Sequence, residues 1–435
     1  MSLPKVKQDL TDATLALVPE PAGGVWIKEA RKAARERLAK LGMPVRRDEY
    51  WKFTDPTAWT SAEPRFATTT ARSDVFDAAN ALTLSFVDGV FDAAASDALA
   101  LEGVEISLLS EAATADLHWA KSVYGVLEAR ANEATRRDGA ALFKPVPRPL
   151  AALNTALAGE GVLIHVTGTP SRPIRLSYRS TGGQSVLHHA IKVETGANLT
   201  LLEEGYAGAR FDTMIEASVA DGGTLHHLRV QGRETDVEAA THFYAELGTE
   251  SVVKSFSLTV DGIATRNEAV MELHGVDAVA HIAGTCLGDG ATGKFHHDDT
   301  VYVTHDGLNG ESRQVFKKVL RNGATGVFQG KILVQPAAQK TDGYQISQSL
   351  LLDDDSQFLA KPELEIYADD VACSHGSTTG AIDEGALFYL RSRGVPRKEA
   401  EDLLTLSFLA EALEEIEDDT LSEMVLERIT DWLRG

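Results

Sequence analysis

The run Leu364-Glu365-Ile366-Tyr367-Ala368-Asp369-Asp370-Val371-Ala372-Cys373-Ser374-His375-Gly376-Ser377 holds the densest chemistry in the chain. Glu365 to Val371 reads as a strand, and the Ser/Gly/Thr-rich turn expected after it presents a thiol and an imidazole two positions apart. In an extended chain the two face the same way. Thiolate with imidazole suits borderline and soft metals, notably zinc and the iron of sulfur clusters. On residue type alone Cys373 reads as a buried small hydrophobe, the usual state of a free cysteine. His375, in its polar turn, is the stronger functional residue. A Cys–His nucleophilic pair fits poorly, because a side chain two residues away is not placed to take the thiol proton and nothing marks an oxyanion hole.

Ligand counting narrows the chemistry further. An iron–sulfur cluster takes about four thiolate or imidazole ligands, and the chain offers one Cys-x-His and an isolated Cys286. It cannot easily hold a cluster alone, so such chemistry needs an interface where a partner supplies the missing ligands. Two other groupings compete. His296-His297-Asp298-Asp299, with His305 downstream, reads as a strand in which His296 and Asp298 share one face and His297 and Asp299 the other. Each face then has only a two-ligand pair, which favours surface or inter-coil hydrogen bonding over a metal. Gly288-Asp289-Gly290-Ala291-Thr292-Gly293-Lys294 nearly matches a phosphate-binding loop, but Phe295 replaces the hydroxyl that would hold magnesium and a strand-like run follows in place of a helix. A glycine-rich turn is expected there.

The elements that carry these residues are mostly β. From about Gly161 to Val371 the chain breaks into short apolar runs such as Gly161-Val162-Leu163-Ile164-His165-Val166, closed by Gly, Asp or Asn, with no long helical period between them. Gly196, Gly222, Gly248 and Gly275 recur 26, 26 and 27 residues apart, each followed by a strand-rich run. A period of this length signals stacked units that bury their apolar faces only against neighbours. One coil of a β-solenoid fits: parallel sheets around a narrow apolar interior with little room for an internal cofactor. A meandering β-sandwich, with turns every 8–12 residues or so, is the alternative.

Both ends are helical or mixed. Ile27, Ala30, Ala34, Leu38 and Leu41 recur at helical spacing, Gly42 is a natural stop, and Lys28, Arg31, Lys32, Arg35 and Lys40 make the opposite face basic, read as a solvated face. Pro44 to Thr54 interleaves aromatics with charges and reads as an ordered loop. A helix-like run lies near Ala120 to Arg136, and Pro145, Pro147 and Pro149 punctuate a boundary. At the other end Pro396 opens a helix with the apolar stripe Ala400, Leu403, Leu404, Leu406, Leu409, Leu413 and Ile416. A second helix is expected to start on the capping-box pair Thr420 and Glu423 and to bury Leu421, Val425, Ile429, Trp432 and Leu433. This hairpin is expected to dock a partner or to cap the solenoid's open edge. The division is 1–145, a helical or mixed region; 146–380, the β core; and 381–435, a helical region.

Composition excludes several function classes. The 435 residues carry 42 Lys+Arg against 64 Asp+Glu, a formal charge of −22, which opposes binding to nucleic acid or an anionic membrane. Two distant cysteines form no disulfide framework and fit a reducing compartment. No apolar run approaches the ~20 residues that cross a bilayer, and Met1 to Leu10 has no apolar segment of a signal peptide, so a cytoplasmic protein is expected.

Several segments together resemble the SufB/SufD family of iron–sulfur cluster assembly proteins, on its SufD side. They are Arg46 to Thr54 with its core Glu49-Tyr50-Trp51-Lys52-Phe53-Thr54, Val327-Phe328-Gln329-Gly330-Lys331-Ile332, and Lys340-Thr341-Asp342-Gly343-Tyr344-Gln345. Pro362 to Val371 with Cys373-Ser374-His375-Gly376, and Phe388-Tyr389-Leu390-Arg391-Ser392-Arg393-Gly394, complete the set. The chain has no cysteine-rich N-terminal motif and no third cysteine for sulfur relay, which favours the SufD side.

The resemblance implies a right-handed parallel β-helix core between helical ends, and a heterodimer with SufB through the β-helix ends. It also implies a SufC ATPase bound through the C-terminal helical region, with the nucleotide held there and not at Gly288 to Lys294. His375 is implicated by it in cluster assembly at the interface, as a shared metal ligand, and Cys373 as the neighbouring interface cysteine. The function it implies is that of a non-catalytic scaffold on which a transient iron–sulfur cluster is built between the subunits, none being held tightly by the isolated chain, for which a homodimer is the expected alternative. The rival reading is a stand-alone β-helix enzyme acting on carbohydrate with Asp298, Asp299, Asp369 and Asp370 in a flank groove.

Overall fold

A computed structural model of the chain describes residues 3–17, 22–61, 74–132, 146–232, 236–291 and 293–434. The expected boundary at 145/146 and the end of the run at Arg136 fall outside the described residues, as does Thr292. Strands alternate between two sheets, so that each coil contributes one strand to either side. The ten-stranded sheet ends on Ala372–Gly380 and the nine-stranded sheet on Gln357–Ile366, with parallel pairing from Val162 onward. The protein is a parallel β-solenoid with helices at both ends, as expected.

The repeat is driven by the turns. Gly196, Gly222, Glu250, Asp277, Asn309 and Lys340 stack along one edge with φ of 68, 64, 54, 57, 59 and 61°. Each donates its backbone N–H to a carbonyl of the next turn: Asp221, Thr249, Val276, Leu308, Gln339 and Asp370 in order. A left-handed residue in every coil explains why Gly, Asn and Asp recur there. The glycine series of the sequence mixes two positions. Gly248 and Gly275 precede the left-handed residue by two and pack backbone on backbone: a Cβ on Gly275 would lie 2.0 Å from the Gly248 carbonyl carbon. The true coil length also drifts. Thr224, Val252 and Val279 are register partners 28 and 27 residues apart, whereas Val279, Glu311 and Asp342 are 32 and 31 apart.

The interior is not uniformly apolar, contrary to expectation. In the nine-stranded sheet Ile191, Ala217, Ala245, Met271, Val303 and Ile332 follow one another in register, all buried. Opposite them one row runs Leu199, Leu225, Val253, Ala280, Ser312, Gly343 and ends on Cys373. Its neighbour runs Leu201, His227, Ser255, Ile282, Gln314, Gln345 and ends on His375. The lining thus turns polar towards the C-terminal end.

The two ends differ. At the N-terminal end antiparallel strands close the sheets, Val104–Leu108 on Val162–Val166 and Val90–Phe91 on Leu82–Val87. At the C-terminal end the outer edges of Gln357–Ile366 and Ala372–Gly380 have no neighbouring strand among the described residues. The helices do not cap that end. Arg397–Leu413 and Asp419–Arg434 lie on the flank of the ten-stranded sheet, where Leu409, Leu413, Leu421, Val425, Ile429 and Trp432 join Leu228, Phe256, Leu258, Val315 and Val319. Their acidic connection is clamped to the sheet by His226–Glu417 at 2.9 Å and His281–Glu415 at 2.8 Å, and Glu411 in the last turn of the first helix pairs with Lys317. The second helix is capped by Asp418, whose carboxylate accepts the Thr420 and Leu421 N–H groups, and not by Thr420.

The N-terminal helices cover the other flank. Val25–Leu41 ends at Gly42 as expected, with the Gly42 N–H on the Leu38 carbonyl at 2.7 Å. Its basic face is only partly solvated: Arg31 is buried on the Ala22 and Ala158 carbonyls, and Arg35 reaches the Leu15 carbonyl. A guanidinium can satisfy the stray carbonyls at chain ends, which the charge pattern alone does not reveal. Among the described residues no helix is long and apolar enough to cross a membrane.

Candidate functional site

The segment 364–377 forms differently from the sequence expectation. The strand is Gln357–Ile366, the turn is 367–371, and Ala372–Gly380 is a strand in the opposite sheet, so Cys373 and His375 lie in a β-ladder and not in a turn. The chain must cross between sheets once per coil, and that crossing falls at Tyr367 to Val371. The same-face prediction holds. Cys373 pairs with Gly343 and His375 with Gln345, both on the inner row of Asp342–Leu351.

Cys373 is half-buried against Ile332, Val334, Ala338 and Ala368, and Gly343 leaves room for its sulfur. Burial raises its thiol above the ordinary range, and a thiol must lose its proton before it binds any metal. His375 is exposed at the open mouth. Beside it Ser347 donates to Ser377 at 3.1 Å, and Gln345 donates through Nε2 to Gln314 Oε1 at 2.7 Å. Imidazole and thiol therefore sit on the inner lip of an uncapped solenoid, within reach of whatever adjoins it.

The other groupings resolve into structure. His296 and Asp298 face outward under the N-terminal loop, where the Thr54 hydroxyl donates to Asp298 at 2.5 Å and meets His296 Nε2 at 3.0 Å. Arg266 also pairs with Asp298. His297 and Asp299 face inward, both on the buried Lys318 ammonium, 2.7 Å from His297 Nδ1. His305 is tied to Ser312 at 2.8 Å, and burial pulls its imidazole down to about 4. Cys286 is fully buried between Phe295, Leu320 and Ala324, and burial pushes its thiol up to about 12. Asp369 and Asp370 lie on the turn 367–371, so the four aspartates share no groove. The described residues of Gly288 to Lys294 link two strands without a helix, with Asp289 binding Arg321 and Asn322. No group of three metal-ligating side chains occurs among the described residues.

Comparison with known proteins identifies the lineage. A family model described as "SUF system FeS cluster assembly, SufBD core domain" matches residues 177–408, more than half of the chain. The chain belongs to the SufBD family. It is 28% identical over 406 residues to the iron–sulfur cluster assembly protein SufD of Escherichia coli, covering 92% of each chain. A SufBD family protein of Synechocystis is 26% identical over 413 residues, 89% of this chain and 86% of its own. The SufD of Bacillus subtilis is 26% identical over 278 residues, 61% of this chain and 63% of its own.

In this SufBD-family chain four of the five segments that carried the resemblance meet at the open end. Tyr50 donates its hydroxyl to Glu363 at 2.6 Å, Gln329 donates to the Tyr50 carbonyl at 3.2 Å, and Lys361 stacks over the Tyr50 ring. Lys340 N–H closes the last turn on Asp370, and Gln345 lies opposite His375. Reading the sequence missed Lys318 and Gln314, and named Gln345 only as the end of a matching segment. Their sole signal is a polar residue at an inward position of a strand, visible only once the register is known.

Proposed function

We propose that the chain is a scaffold subunit of iron–sulfur cluster assembly that pairs with SufB through its open solenoid end and contributes His375 to the nascent cluster at that interface. The observation that carries this is the uncapped C-terminal end, two free strand edges with an exposed imidazole on the inner lip. Free edges are templates for another chain, and a protein that closes one end and leaves the other open has a use for the difference. Without SufB the same edges take a second copy. A neutral imidazole ligates iron directly, while Cys373 contributes a thiolate once metal or partner draws off its proton. Because one chain supplies at most two ligands here, the partner supplies the rest. The cluster is cargo, built and released, and the chain itself turns over nothing; it works in the cytoplasm. The units are 146–380 for the core and 381–435 for the region that binds the SufC ATPase. Support for the latter is the helix Glu384–Ser392, where Leu387 alone is buried while Phe388 and Tyr389 are 75% and 58% exposed.

Co-expression with SufB and SufC, followed by anaerobic purification, tests this. His375→Ala is expected to leave the complex intact and to lower its iron and sulfide several-fold. Full cluster content in an intact His375→Ala complex overturns the ligand role. Phe388→Asp with Tyr389→Ala is expected to lose SufC and keep SufB.

A further inference from the structure

We propose that Gln345 is a positioning residue for His375: its side-chain oxygen accepts the proton of one imidazole nitrogen and so leaves the other nitrogen free at the open end. The inference rests on the ligand role of His375 proposed above and names what sets the ring for it. Gln345 is the register partner of His375 in the adjacent strand, on the same inner row. Side chains of adjacent strands stand about 4.8 Å apart. Gln345 is fully buried, and its Nε2 donates to Gln314 Oε1 in the coil behind at 2.7 Å.

That bond fixes the direction of the carboxamide. Its nitrogen is held by Gln314 in the coil behind, which leaves the oxygen as the group not engaged by that bond. Gln345 Oε1 is buried and has no partner among the described residues. A buried acceptor left without a donor is destabilising, so it recruits any donor within reach. The His375 imidazole, at the partnered position of the adjacent strand, is the donor that a side-chain rotation brings to it. Gly330 makes the arrangement possible, since a Cβ there would come within 2.4 Å of Gln345 Nε2. A histidine whose one nitrogen donates to a fixed oxygen holds a single tautomer and orientation, the usual support of a metal-binding imidazole.

The test reads the tautomer and not the cluster. In the full-length chain labelled with nitrogen-15 histidine, the two-bond proton–nitrogen pattern of His375, assigned by its loss in His375→Ala, is recorded at a pH where the ring is neutral. The native chain is expected to show one tautomer. Gln345→Met, which keeps length and volume, is expected to lose that preference several-fold. Should Gln345→Met not fold, Gln314→Met removes the carbonyl that orients the amide and is expected to weaken the preference likewise. An unchanged tautomer in the folded Met variant overturns the proposal. A tautomer that responds, with full cluster yield in His375→Ala, overturns the ligand role while leaving the positioning intact.

Discussion

The Tyr50 hydroxyl and the Glu363 carboxylate, 313 residues apart, meet at 2.6 Å on the outer face of the last coil. Burial and the carboxylate together hold the phenol far above its ordinary range, so it stays a donor. The bond fastens the N-terminal loop to the strand Gln357–Ile366, whose own outer edge is free. A hydrogen bond to a charged group contributes about 1.5–3 kcal/mol. Tyr50→Phe is therefore expected to lower stability by about that much, and to speed amide exchange in 357–366 more than in the coils nearer the N-terminus. Equal exchange across all coils would show that the loop does not secure the open end.

The inner ammonium of Lys318 is shared by Asp299 and His297, and all three are at least 97% buried. Burial raises the Asp299 carboxyl despite that cation, and the same burial, with the cation, lowers the His297 imidazole well below its usual range. Removing one partner of a buried pair strands the other, at about 3–5 kcal/mol. Lys318→Met is expected to lose that much in urea unfolding. Adding Asp299→Asn is expected to recover part of it, because the stranded charge is gone.

Much of this architecture was legible in the sequence, and for identifiable reasons. The coil repeat showed through Gly196 and Gly222, where the backbone needs positive φ. It blurred from Glu250 onward because Asp, Asn and Lys take the same conformation without glycine's visibility. Cys373 and His375 were correctly placed on one face, since alternation is local. Their turn was misplaced because strand boundaries depend on where the chain crosses between sheets. The position of the C-terminal hairpin was not readable: an amphipathic helix fits a flank or an end equally well, and the choice rests on tertiary partners such as Trp432 on Asp261 and Arg321.

His274 gives the solenoid a pH dependence on its alkaline side. Burial opposes its protonation, yet Asp306 at 2.8 Å and Glu272 at 3.1 Å outweigh it and raise the imidazole to about 9. An unfolded histidine titrates near ~6.5. The stabilisation is therefore complete below about 6.5 and is lost as pH rises through 9, amounting to at most about 3 kcal/mol. His274→Gln is expected to flatten the fall in melting temperature between those limits. An unchanged slope would mean that other groups carry it.

The two cysteines differ enough in environment to be told apart by alkylation. Cys286 is 0% exposed with its thiol raised to about 12, whereas Cys373 is half-buried at the open lip. Since the thiolate is the reacting species, Cys286 is expected to react far more slowly than Cys373 at pH 8. It should react through opening of the fold, and both should label in denaturant. Mass spectrometry after brief iodoacetamide treatment checks this. The same experiment reports on the interface: if SufB seats on the edges of Ala372–Gly380 and Gln357–Ile366, its addition is expected to slow Cys373 labelling several-fold and leave Cys286 unchanged. Undiminished Cys373 labelling in a saturated complex would place SufB elsewhere on the chain.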